Sequence, residues 1–564
     1  MLSELQNCKT IYDLATLLGI PAKTLAFLLY KLPDQQKYSA KCLSKKNGKT
    51  RTINVPERRL KELQKRLSNV LYECLEEIEK KHGKRRSFGF EKGLSIFENA
   101  RSHTKKRWVF NIDLEDFFPS INFGRVIGFF KKNLDFQLDP KIATLIAQIA
   151  CHKNELPQGA PSSPVISNLL CGSLDYRLSK LAKKSRCDYS RYVDDITFST
   201  NQKNFPEAIA AVDSSSQGWV VGNELLSRIR SSGFEVNATK TRMSFRRSRQ
   251  IVTGLVVNQK PAAKKEMYKN SRAAIHRMMR GQVWHVDQFC NPFRLNCEDE
   301  DIKTDPFSVL EGRMSFIYQI DNKTDLRKDN AKFFNPTAIA RSYSDLLFLK
   351  YFTGKSRPII LTEGLSDILY IKAAILRLAP IANLSQFDKN GDLEFLFDFY
   401  RFSAHSSRLL GLSGGSGNLS LFMERLHHFQ KRLSTNVTRR PLILLLDNDQ
   451  GLEGVAKTVK SKFGADISMN KNDLFYRIAA KTMIVKTPHI SSSKHKSCIE
   501  DFLDQKVVKE IIDGKSFSNK DKYDISKHYG KTILSKNLYN NRDNYSFDKF
   551  KSILDRISSA ISAA

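Results

Sequence analysis

RYVDDITFST, from Arg191 to Thr200, is the stretch that decides what kind of fold this chain adopts. Apolar residues flank an acidic pair, Asp194 and Asp195, and this pattern predicts a hairpin with the two carboxylates at its turn. An Asp-Asp pair in a turn usually satisfies local backbone donors, so the pair alone is weak support for a functional site. Its meaning depends on what the rest of the chain places beside it.

A second strand-like run carries a third carboxylate. WVFNIDLEDFF, from Trp108 to Phe118, is an apolar run that ends in acids and contains Asp113. Joining nucleotides requires stabilisation of the charge that develops on a triphosphate, and a pair of Mg²⁺ ions held by carboxylates on rigid elements supplies it. Asp113, Asp194 and Asp195 therefore form a candidate two-metal site.

Two further stretches make this interpretation specific. LPQGAPSSPVISNLL, from Leu156 to Leu170, is a loop rich in Gly, Pro and Ser, and Gly159 would let its backbone approach a base pair closely. GFEVNATKTRMS, from Gly233 to Ser244, places Lys240 on a strand or turn. In this order, NIDLEDFF, LPQGAPSSP, YVDD and GFEVNATKT resemble the palm motifs of reverse transcriptases.

Two shorter matches narrow the resemblance to bacterial retron reverse transcriptases. ENARSH and the VTG triplet of RQIVTGLVVN look like extra signatures of that family. The positions concerned are Asn99, His103, Val252, Thr253 and Gly254. The resemblance covers about residues 10 to 320. Val193 departs from it, since many retron enzymes have Ala there, and this implies a slightly different contact with the primer end.

The resemblance implies a role for each matching residue. Asp113, Asp194 and Asp195 would bind Mg²⁺ and carry the catalysis. Phe118 would act as an aromatic steric gate that excludes a ribose 2′ hydroxyl, and Arg51 would grip the triphosphate with its guanidinium group. The alternatives are a core Phe and a surface Arg.

The remaining matches concern the nascent base pair and the template. Gln158 and Gly159 would line the nascent pair, and Lys240 would stabilise or protonate the leaving pyrophosphate, with a surface lysine as the alternative. Asn99, His103 and the VTG triplet would handle template RNA, and a structural role is the alternative for the histidine. Retron enzymes copy part of a structured noncoding RNA, prime from an internal guanosine 2′ hydroxyl, and leave a small DNA joined to the RNA (msDNA). The resemblance implies the same RNA and DNA partners here, together with deoxynucleoside triphosphates.

A second acidic set lies in the C-terminal part of the chain. RPIILTEGLSD predicts a strand that ends at Glu363 just before a helix, and LILLLDNDQG predicts a strand that ends at Asp447 and Asp449. Open α/β sheets place ligand sites at such strand ends. If the two strands are neighbours, the three carboxylates converge, and a divalent cation would relieve their mutual repulsion.

Glu-Gly after one strand and Asp-x-Asp-x-Gly after another resemble the TOPRIM domain of topoisomerases, primases and small nucleases. The match covers about residues 355 to 505. Predicted strands at 358–361, 408–412 and 442–446 alternate with predicted helices at 366–378, 418–433 and 452–462. Among the reactions of this family, metal-assisted phosphodiester hydrolysis with one or two Mg²⁺ ions is the most economical choice. Tyrosine-based strand transfer is the alternative, since the chain has 18 tyrosines. Further acidic candidates, for which capping or solvation is the alternative explanation, are Asp367, Glu500 and Asp501.

Composition fits polyanionic partners. The chain has 564 residues and a formal net charge of +33, which favours nucleic acid, and its length predicts two or more domains. Nine cysteines without a CxxC pair favour reduced thiols over a disulfide framework or a zinc site. No apolar run approaches the length of a membrane span and the N-terminus lacks a signal-peptide pattern, so we expect a cytoplasmic protein with no membrane partner.

The sequence therefore predicts a multidomain α+β and α/β protein. A reverse transcriptase with right-hand-like fingers, palm and thumb would span residues 1–325, and 326–354 would form a linker. An α/β TOPRIM domain with a parallel sheet and a C-terminal extension would span 355–564. We expect an RNA-directed DNA polymerase fused to a nuclease effector for antiphage defence, held in check by the RNA–DNA product, with a homo-oligomer left open. The alternatives are a TOPRIM domain that processes that product or only binds it.

Overall fold

The computed structural model describes residues 1–44, 50–83, 87–213, 218–282, 305–412, 416–491, 496–518 and 523–564. The chain divides into two compact units. Unit 1 contains Met1–Lys265 and Ile320–Thr324. Unit 2 contains residues 266–282, 305–319 and 325–564.

Unit 1 is a mixed α and β structure. Its helices are α1 (Leu2–Asn7), α2 (Ile11–Leu17), α3 (Ala22–Ala26), α4 (Asp34–Lys37), α5 (Arg58–His82), α6 (Ile96–Arg101), α7 (Phe117–Ser120), α8 (Phe123–Lys132), α9 (Pro140–Ala150), α10 (Ser163–Leu170), α11 (Gly172–Lys184) and α12 (Asn223–Arg230). Its strands are β1 (Tyr38–Ser44), β2 (Thr50–Pro56), β3 (Trp108–Glu115), β4 (Asp188–Tyr192), β5 (Asp195–Thr200), β6 (Ala210–Val212), β7 (Trp219–Val221), β8 (Glu235–Val236), β9 (Arg242–Phe245), β10 (Ile251–Val252) and β11 (Leu255–Val256). A π-helical turn spans Phe27–Lys31, and a 3₁₀ turn spans Ala238–Lys240.

The central sheet of unit 1 is built on β3. Its strand order is β4-β5-β3-β8, and β9 also pairs with β3. Both the predicted strand in WVFNIDLEDFF and the predicted hairpin in RYVDDITFST are confirmed as β3 and as β4 with β5. The apolar side chains of β3 are buried, including Val109, Phe110 and Ile112, so this strand is fixed in the core.

Helix α5 contributes an apolar face to the core of unit 1. Leu60, Leu63, Leu67 and Leu71 recur at spacings of three and four and are all buried, which gives the helix one apolar face. The Glu57 carboxylate caps its start by accepting hydrogen bonds from the first backbone amides. The helix packs on α9 and α10, which contribute further residues to the same apolar cluster.

The N-terminal helices are short and sharply bent. No single helix in the described part of the chain is both long and apolar enough to cross a membrane. Ile11–Leu17 and Ala22–Lys31 meet such a test only as a pair, by length and composition, and they are bent by 110° at the break.

Unit 2 combines a helical layer with a mainly parallel sheet. Its helices are α13 (Lys265–Met279), α14 (Pro306–Thr324), α15 (Asp329–Phe334), α16 (Ala338–Phe352), α17 (Leu365–Leu378), α18 (Ala404–Leu410), α19 (Ser416–Arg432), α20 (Leu452–Phe463), α21 (Gln505–Val508), α22 (Lys531–Asn540) and α23 (Lys551–Ser562), where Lys265 and Ile320–Thr324 fall in unit 1. Its strands are β12 (Ile359–Leu361), β13 (Ser385–Phe387), β14 (Leu393–Phe395), β15 (Asp398–Phe399), β16 (Leu442–Leu446), β17 (Tyr476–Ala479), β18 (Thr482–Lys486), β19 (Ser516–Phe517) and β20 (His528–Tyr529). Short 3₁₀ turns span Ile499–Phe502, Arg542–Asn544 and Asp548–Phe550.

The larger sheet of unit 2 has the order β15-β12-β16-β18-β17. The first four of these strands pair in parallel, and β17 pairs antiparallel with β18. All five residues of β16 are buried, as expected for a strand covered on both faces. The predicted parallel sheet is present, and the helices predicted at 366–378, 418–433 and 452–462 are confirmed as α17, α19 and α20.

The strand predicted at 408–412 is wrong. Residues 404–410 form α18, which starts with the Ser403 side chain accepting a hydrogen bond from the Ser406 amide. Gly411 ends the helix with a φ of 88°, a conformation that favours glycine. A short apolar run does not by its periodicity distinguish a strand from a buried helix.

The segment 326–354, predicted as a linker, also differs from that prediction. Ala338–Phe352 form α16, in which Tyr343, Leu346 and Phe348 are buried. The Phe348 ring stacks on Phe429 with their centroids 5.1 Å apart. Packing in unit 2 therefore orders a segment whose polar composition indicated a connection. The division into functional domains stays a prediction.

The C-terminal extension belongs to the core of unit 2. In α23, Ile553, Leu554 and Ile557 are buried in the same apolar cluster as the sheet residues Ile443 and Val485. This region is rich in Lys, Asp and Asn, and its overall composition did not indicate the apolar face of the helix.

We therefore predict that Ile557→Ala destabilises the protein by about 2–5 kcal/mol, because the substitution leaves a cavity in that cluster. Urea unfolding followed by circular dichroism measures the change. Asp555→Ala, at an exposed position of the same helix, is the control and should shift the unfolding free energy by less than about 0.5 kcal/mol. Equal effects of the two substitutions would contradict a core role for α23.

Candidate active sites

Strand pairing brings the first three candidate carboxylates together. Asp113 on β3 lies directly opposite Asp195 at the start of β5. Side chains of directly opposed residues in an antiparallel pair point to the same face. Asp194 lies in the turn between β4 and β5, and its carbonyl accepts a hydrogen bond from the Leu114 amide at 3.1 Å. The acidic turn is thereby tied to the strand that carries Asp113.

The electrostatics of this site are those of crowded acids. Burial, followed by the charges of Asp194 and Asp113, raises the pKa of Asp195 to about 7. The Lys240 ammonium opposes this rise and binds Asp113, with its Nζ at 2.7 Å from Oδ1 and 2.8 Å from Oδ2. Lys240 ends a 3₁₀ turn whose neighbour Asn237 donates its amide to the Asp113 carbonyl at 2.8 Å. The lysine predicted to act on pyrophosphate thus lies beside the acids.

A buried ion pair lies beneath the acidic turn. Arg191 is 0% exposed, and its Nε and Nη2 atoms each lie 2.8 Å from an Asp175 carboxylate oxygen. Burial alone would lower the pKa of Arg191, but the Asp175 charge raises it above the ordinary value. The Tyr189 hydroxyl donates to the same carboxylate at 2.7 Å. The guanidinium also donates to the Val193 carbonyl at 2.9 Å, directly before the acidic pair.

The backbone of this turn is held from a second side. Val193 has a φ of 62°, an uncommon conformation for a β-branched residue that surrounding contacts must maintain. A Cβ atom on Gly89 would come within 2.7 Å of the Val193 backbone nitrogen, so only glycine fits there. The Phe88 amide donates to the Arg191 carbonyl at 2.9 Å. Segment 87–90 therefore presses against the turn that carries Asp194.

The candidate nucleotide-binding residues lie on several elements of unit 1. Phe118 is half-buried on α7. Gly159 has a φ of 114°, and a Cβ there would lie 2.8 Å from the Asn54 carbonyl, while the Gln158 carbonyl accepts the Asn54 amide at 2.9 Å. Gly159 therefore permits a close approach of its loop to β2, and its contact with a base pair stays a prediction. Arg51 lies on β2, and its side chain is outside the described part of the structure.

The two short signatures meet each other. Asn99 on α6 donates from Nδ2 to the Thr253 hydroxyl at 3.4 Å, and both residues lie at the packed end of α6 against β10 and β11. Val252 is buried, and the turn at Thr253 and Gly254 has φ values of 44° and 85°. Gly254 is exposed, so solvent reaches this turn.

His103 occupies a different environment. It is fully buried, with Nδ1 and Nε2 each 2.7 Å from a serine hydroxyl, those of Ser199 and Ser190. Burial lowers its pKa to about 3, so the ring is neutral at physiological pH. Both nitrogens are used inside the fold, which supports the structural alternative over the RNA contact expected for this residue.

The second acidic set lies where two parallel strands end. β12 and β16 are neighbours, with Leu361 opposite Leu444, so the adjacency on which convergence depended is confirmed. The Glu363 carboxylate accepts a hydrogen bond from the Asp447 amide at 2.9 Å, and the Asp447 carboxylate accepts one from the Ile499 amide at 2.9 Å. We call Glu363, Asp367, Asp447, Asp449 and Glu500 the carboxylate cluster.

Burial and repulsion dominate the carboxylate cluster. Burial, then the charges of Asp367 and Asp449, raises the pKa of Glu363 to about 7, although the Asp447 amide opposes the rise. The pKa of Asp447 is raised well above its usual range by burial and then by Glu363, Asp367 and Glu500. Such a cluster gains stability from any cation that approaches it.

The further acidic candidates separate into two kinds. Asp367 caps α17 through the Gly364 amide at 2.9 Å, and burial followed by the Glu500 charge raises its pKa to about 6. Asp501 accepts the Cys498 amide at 2.8 Å, which is a local cap. Glu500 is buried and lies 3.0 Å from Lys531 Nζ. Asp367 therefore caps a helix and also belongs to the carboxylate cluster. The described contacts of Asp501 are those of a local cap.

In the part of the chain that the structure describes, no three Asp, Glu, His or Cys side chains stand close enough to form a ready-made metal site. The donor types at both sites are carboxylate oxygens, which Mg²⁺ prefers. Burial, and then neighbouring carboxylates, raises the pKa of Asp195 and of Glu363, so a nearby positive charge would favour their ionised forms. The residues present therefore fit a divalent cation in chemistry and in charge.

Comparison with known proteins places the chain in a family. A family model described as reverse transcriptase (RNA-dependent DNA polymerase) matches residues 43–271. Retron Ec86 reverse transcriptase from Escherichia coli is 35% identical over 320 residues, which is 56% of this chain and 86% of that protein. The chain belongs to the retron reverse transcriptase family.

Another retron reverse transcriptase is also similar to this chain. Retron Mx162 reverse transcriptase from Myxococcus xanthus is 34% identical over 309 residues, which is 50% of this chain and 60% of that protein. Among solved structures, a telomerase from Candida albicans bound to a fragment of telomeric RNA matches 56% of this chain and 60% of that one, at 12% identity and a TM-score of 0.31. The matched family model ends at residue 271, before most of unit 2 of this retron reverse transcriptase.

Sequence reasoning missed two pairs of residues in this retron reverse transcriptase. The first is Arg191 with Asp175, and the available signal was an arginine inside an otherwise buried strand, since a buried charge requires a partner. The second is Lys531 with Glu500, and nothing in the lysine-rich C-terminal sequence distinguished that lysine from its neighbours. Lys531 is the cation that opposes the raised pKa values of Glu363 and Asp447.

We predict that Arg191→Met lowers the unfolding free energy by about 3–5 kcal/mol, because it leaves the Asp175 charge buried without a partner. The double variant Arg191→Met/Asp175→Leu should recover most of that stability, since neither charge remains. It should still extend a primer about 100-fold more slowly than the unmodified protein, because the Val193 carbonyl has lost its donor and the acidic turn shifts. Recovery of both stability and primer extension in the double variant would show that Arg191 does not position the turn.

Proposed function

We propose that this retron reverse transcriptase copies part of a structured noncoding RNA into a small DNA that stays joined to the RNA. Family membership supports the polymerase, and the observation that carries the site is the direct opposition of Asp113 and Asp195 across β3 and β5. Deoxynucleoside triphosphates are the substrates of this synthesis, and the noncoding RNA supplies both template and primer.

Asp113, Asp194 and Asp195 would hold a pair of Mg²⁺ ions. When bound, the ions would supply the positive charge that phosphoryl transfer requires. Lys240 must leave Asp113 before that carboxylate accepts a cation, because its ammonium contacts both oxygens. Released, the same ammonium is free to meet the negative charge of the leaving pyrophosphate, which is the role inferred for it.

The other residues serve substrate selection and template binding. Phe118 would exclude a ribose 2′ hydroxyl, Arg51 would bind the triphosphate, and Gln158 with Gly159 would line the nascent pair. For the template, we assign RNA binding to the exposed turn at Gly254. The hydrogen bond from Asn99 to Thr253 would hold this turn in position.

Replacing Asp195 tests the polymerase proposal. Asp195→Asn should reduce the RNA-linked DNA by about 100-fold or more, because removal of a ligand costs at least as much as removal of a residue that supports one. The chain is expressed with its flanking genomic DNA, nucleic acid is extracted from the purified protein, and a discrete small DNA is sought after RNase treatment. Asp188→Asn is the control and should leave the DNA unchanged. Asp188 lies on the same hairpin, and its carboxylate forms an ion pair with Lys106. A discrete DNA from Asp195→Asn would contradict the assignment.

We further propose that unit 2 is a metal-dependent nuclease of the TOPRIM type. The supporting observation is the hydrogen bond from the Asp447 amide to Glu363 at the shared edge of two parallel strands, where buried acids repel one another. Glu363, Asp447 and Asp449 would hold one or two Mg²⁺ ions for hydrolysis of a phosphodiester. Pure storage of nucleic acid is less well supported, since binding a polyanion calls for cations rather than buried carboxylates.

The two activities fit one defence system. The RNA–DNA product would block the nuclease in the cytoplasm, and damage to that product by a phage would release it. Processing or passive binding of the product by unit 2 are the alternatives. In an oligomer, each product would restrain several copies, and this assembly is part of the same proposal.

Asp447→Ala separates these alternatives. If the defence proposal holds, the variant makes RNA-linked DNA of normal length and amount but loses phage protection and nuclease activity. DNA of altered length would instead favour processing, and unchanged protection would contradict a nuclease role. Asp555→Ala, at an exposed acid of the same unit, is the matched control and should behave as the unmodified chain. Phage plating efficiency and gel analysis of the extracted DNA provide the two readouts.

A further inference from the structure

A cavity of about 560 Å³ lies within the helical layer of unit 2. Its wall is formed by residues of α13, α14, α15, α16, α18 and α19, and no member of the carboxylate cluster lines it. The cavity is therefore a feature separate from the two acidic sites. Its cationic lining residues are Arg272, Lys332, Arg341, Arg408, Arg425 and Arg432.

The charges of this cavity do not balance. Its acids are Asp345 and Glu424. Asp345 is already neutralised by Arg432, whose Nη1 lies 2.9 Å from Oδ2 and Nη2 2.5 Å from Oδ1. Glu424 is 46% exposed and lies 4.0 Å from the ring of His428, which makes it a weak counter-charge. Like charges gathered without counter-ions repel, so the cavity attracts an anionic ligand.

Two of the cations have their acidic partner outside the cavity lining. Arg408 lies 3.2 Å from Asp329, and Lys332 lies 3.9 Å from it. The side chain of Asp329 is 76% exposed, and an ion pair this exposed screens its cations only weakly. This exposed carboxylate therefore offsets little of the positive charge that lines the cavity.

Arg425 is the most constrained cation of the cavity. Its Nη1 donates to the carbonyls of Arg408 at 3.0 Å and Leu409 at 2.7 Å, and its Nη2 donates to the Phe333 carbonyl. These bonds cap the end of α18 and fix the guanidinium in the wall. All three acceptors are neutral, and no carboxylate in the described ranges forms an ion pair with Arg425. Burial lowers its pKa to about 10, so its charge is poorly stabilised without a ligand.

An aromatic surface accompanies this charge. Phe334 is 58% exposed and lines the cavity, although an exposed phenyl ring loses the stability that burial would give. Tyr268 is fixed by hydrogen bonds of its hydroxyl to the Ala338 carbonyl and Ser342, both at 3.2 Å. Arg341 is exposed, its guanidinium donates to the Pro336 carbonyl at 2.9 Å, and its charge also acts on Asp345. Aromatic rings beside guanidinium groups are the chemistry that binds a base together with its phosphate.

We propose that this cavity binds a nucleotide, with its phosphate on the guanidinium groups of Arg341 and Arg425 and its base against Phe334. The volume lies in the range of sites for small ligands, and is too small for a duplex. A free nucleoside triphosphate and the 5′-phosphorylated end of a single strand present this same chemistry. The inference does not depend on either proposed enzymatic activity.

The test measures binding to the purified full chain in EDTA, which removes divalent cations and so suppresses nucleotide binding at the two acidic sites. The probes are ATP, a 5′-phosphorylated thymidine decamer and the same decamer with a 5′ hydroxyl. Phe334→Ala and Arg341→Gln should each weaken binding of ATP or of the phosphorylated decamer by about tenfold. Phe387→Ala and Arg401→Gln alter exposed residues of the same unit outside the cavity and should leave it unchanged.

The outcomes distinguish the source of the nucleotide. Cavity-dependent binding of ATP supports a free nucleotide, and cavity-dependent binding of only the phosphorylated decamer supports a strand end. Photocrosslinking with 8-azido-ATP should label peptides that contain residues 268–272 or 333–341 if ATP is the ligand. Equal effects of the cavity and control substitutions would overturn the proposal, as would equal, cavity-dependent binding of the hydroxyl and phosphorylated decamers. The altered side chains are exposed, so unchanged thermal unfolding verifies that each variant folds.

Discussion

The guanidinium of Arg191 is buried beneath the turn that carries the acidic pair, and it is held there by both oxygens of Asp175. A buried charge without a partner is costly, so this pair fixes the position of β4 relative to α11. The Nη1 atom of the same guanidinium also donates to the Val193 carbonyl and holds a strained backbone in place. The geometry of the polymerase acids depends on this contact, because Asp194 and Asp195 follow immediately.

Unit 2 also buries charged side chains, but it stabilises them with backbone amides and a lysine. Parallel pairing of β12 with β16 brings Glu363 and Asp447 to one edge of the sheet, where burial makes ionisation of both unfavourable. The backbone amides of Asp447 and Ile499 stabilise part of this negative charge. The Lys531 ammonium, which comes from the C-terminal extension, opposes the raised pKa values of both acids. The extension is therefore part of the site as well as of the core.

In each unit, a lysine from a later segment partly neutralises acids that earlier strands collect. Lys240 contacts Asp113, whereas Lys531 contacts Glu500 and acts by its charge on Glu363 and Asp447. In each site, the lysine charge reduces the repulsion among the buried acids. The two acidic sites lie on different sheets, one on antiparallel strands and one on parallel strands.

The order of short motifs by itself determined the family, and the apolar runs determined β3, β5 and β16, because strands buried on both faces leave a clear pattern. Sequence also predicted the acids of both sites, since each follows or ends such a run. It did not reveal the partners of Arg191 or the place of Lys531, because these contacts join segments far apart in the chain. Only the tertiary structure decided that His103 is buried, that residues 404–410 are helical, and that cationic side chains from separate helices line one cavity. Packing, rather than local pattern, fixes which distant side chains share a low-dielectric environment.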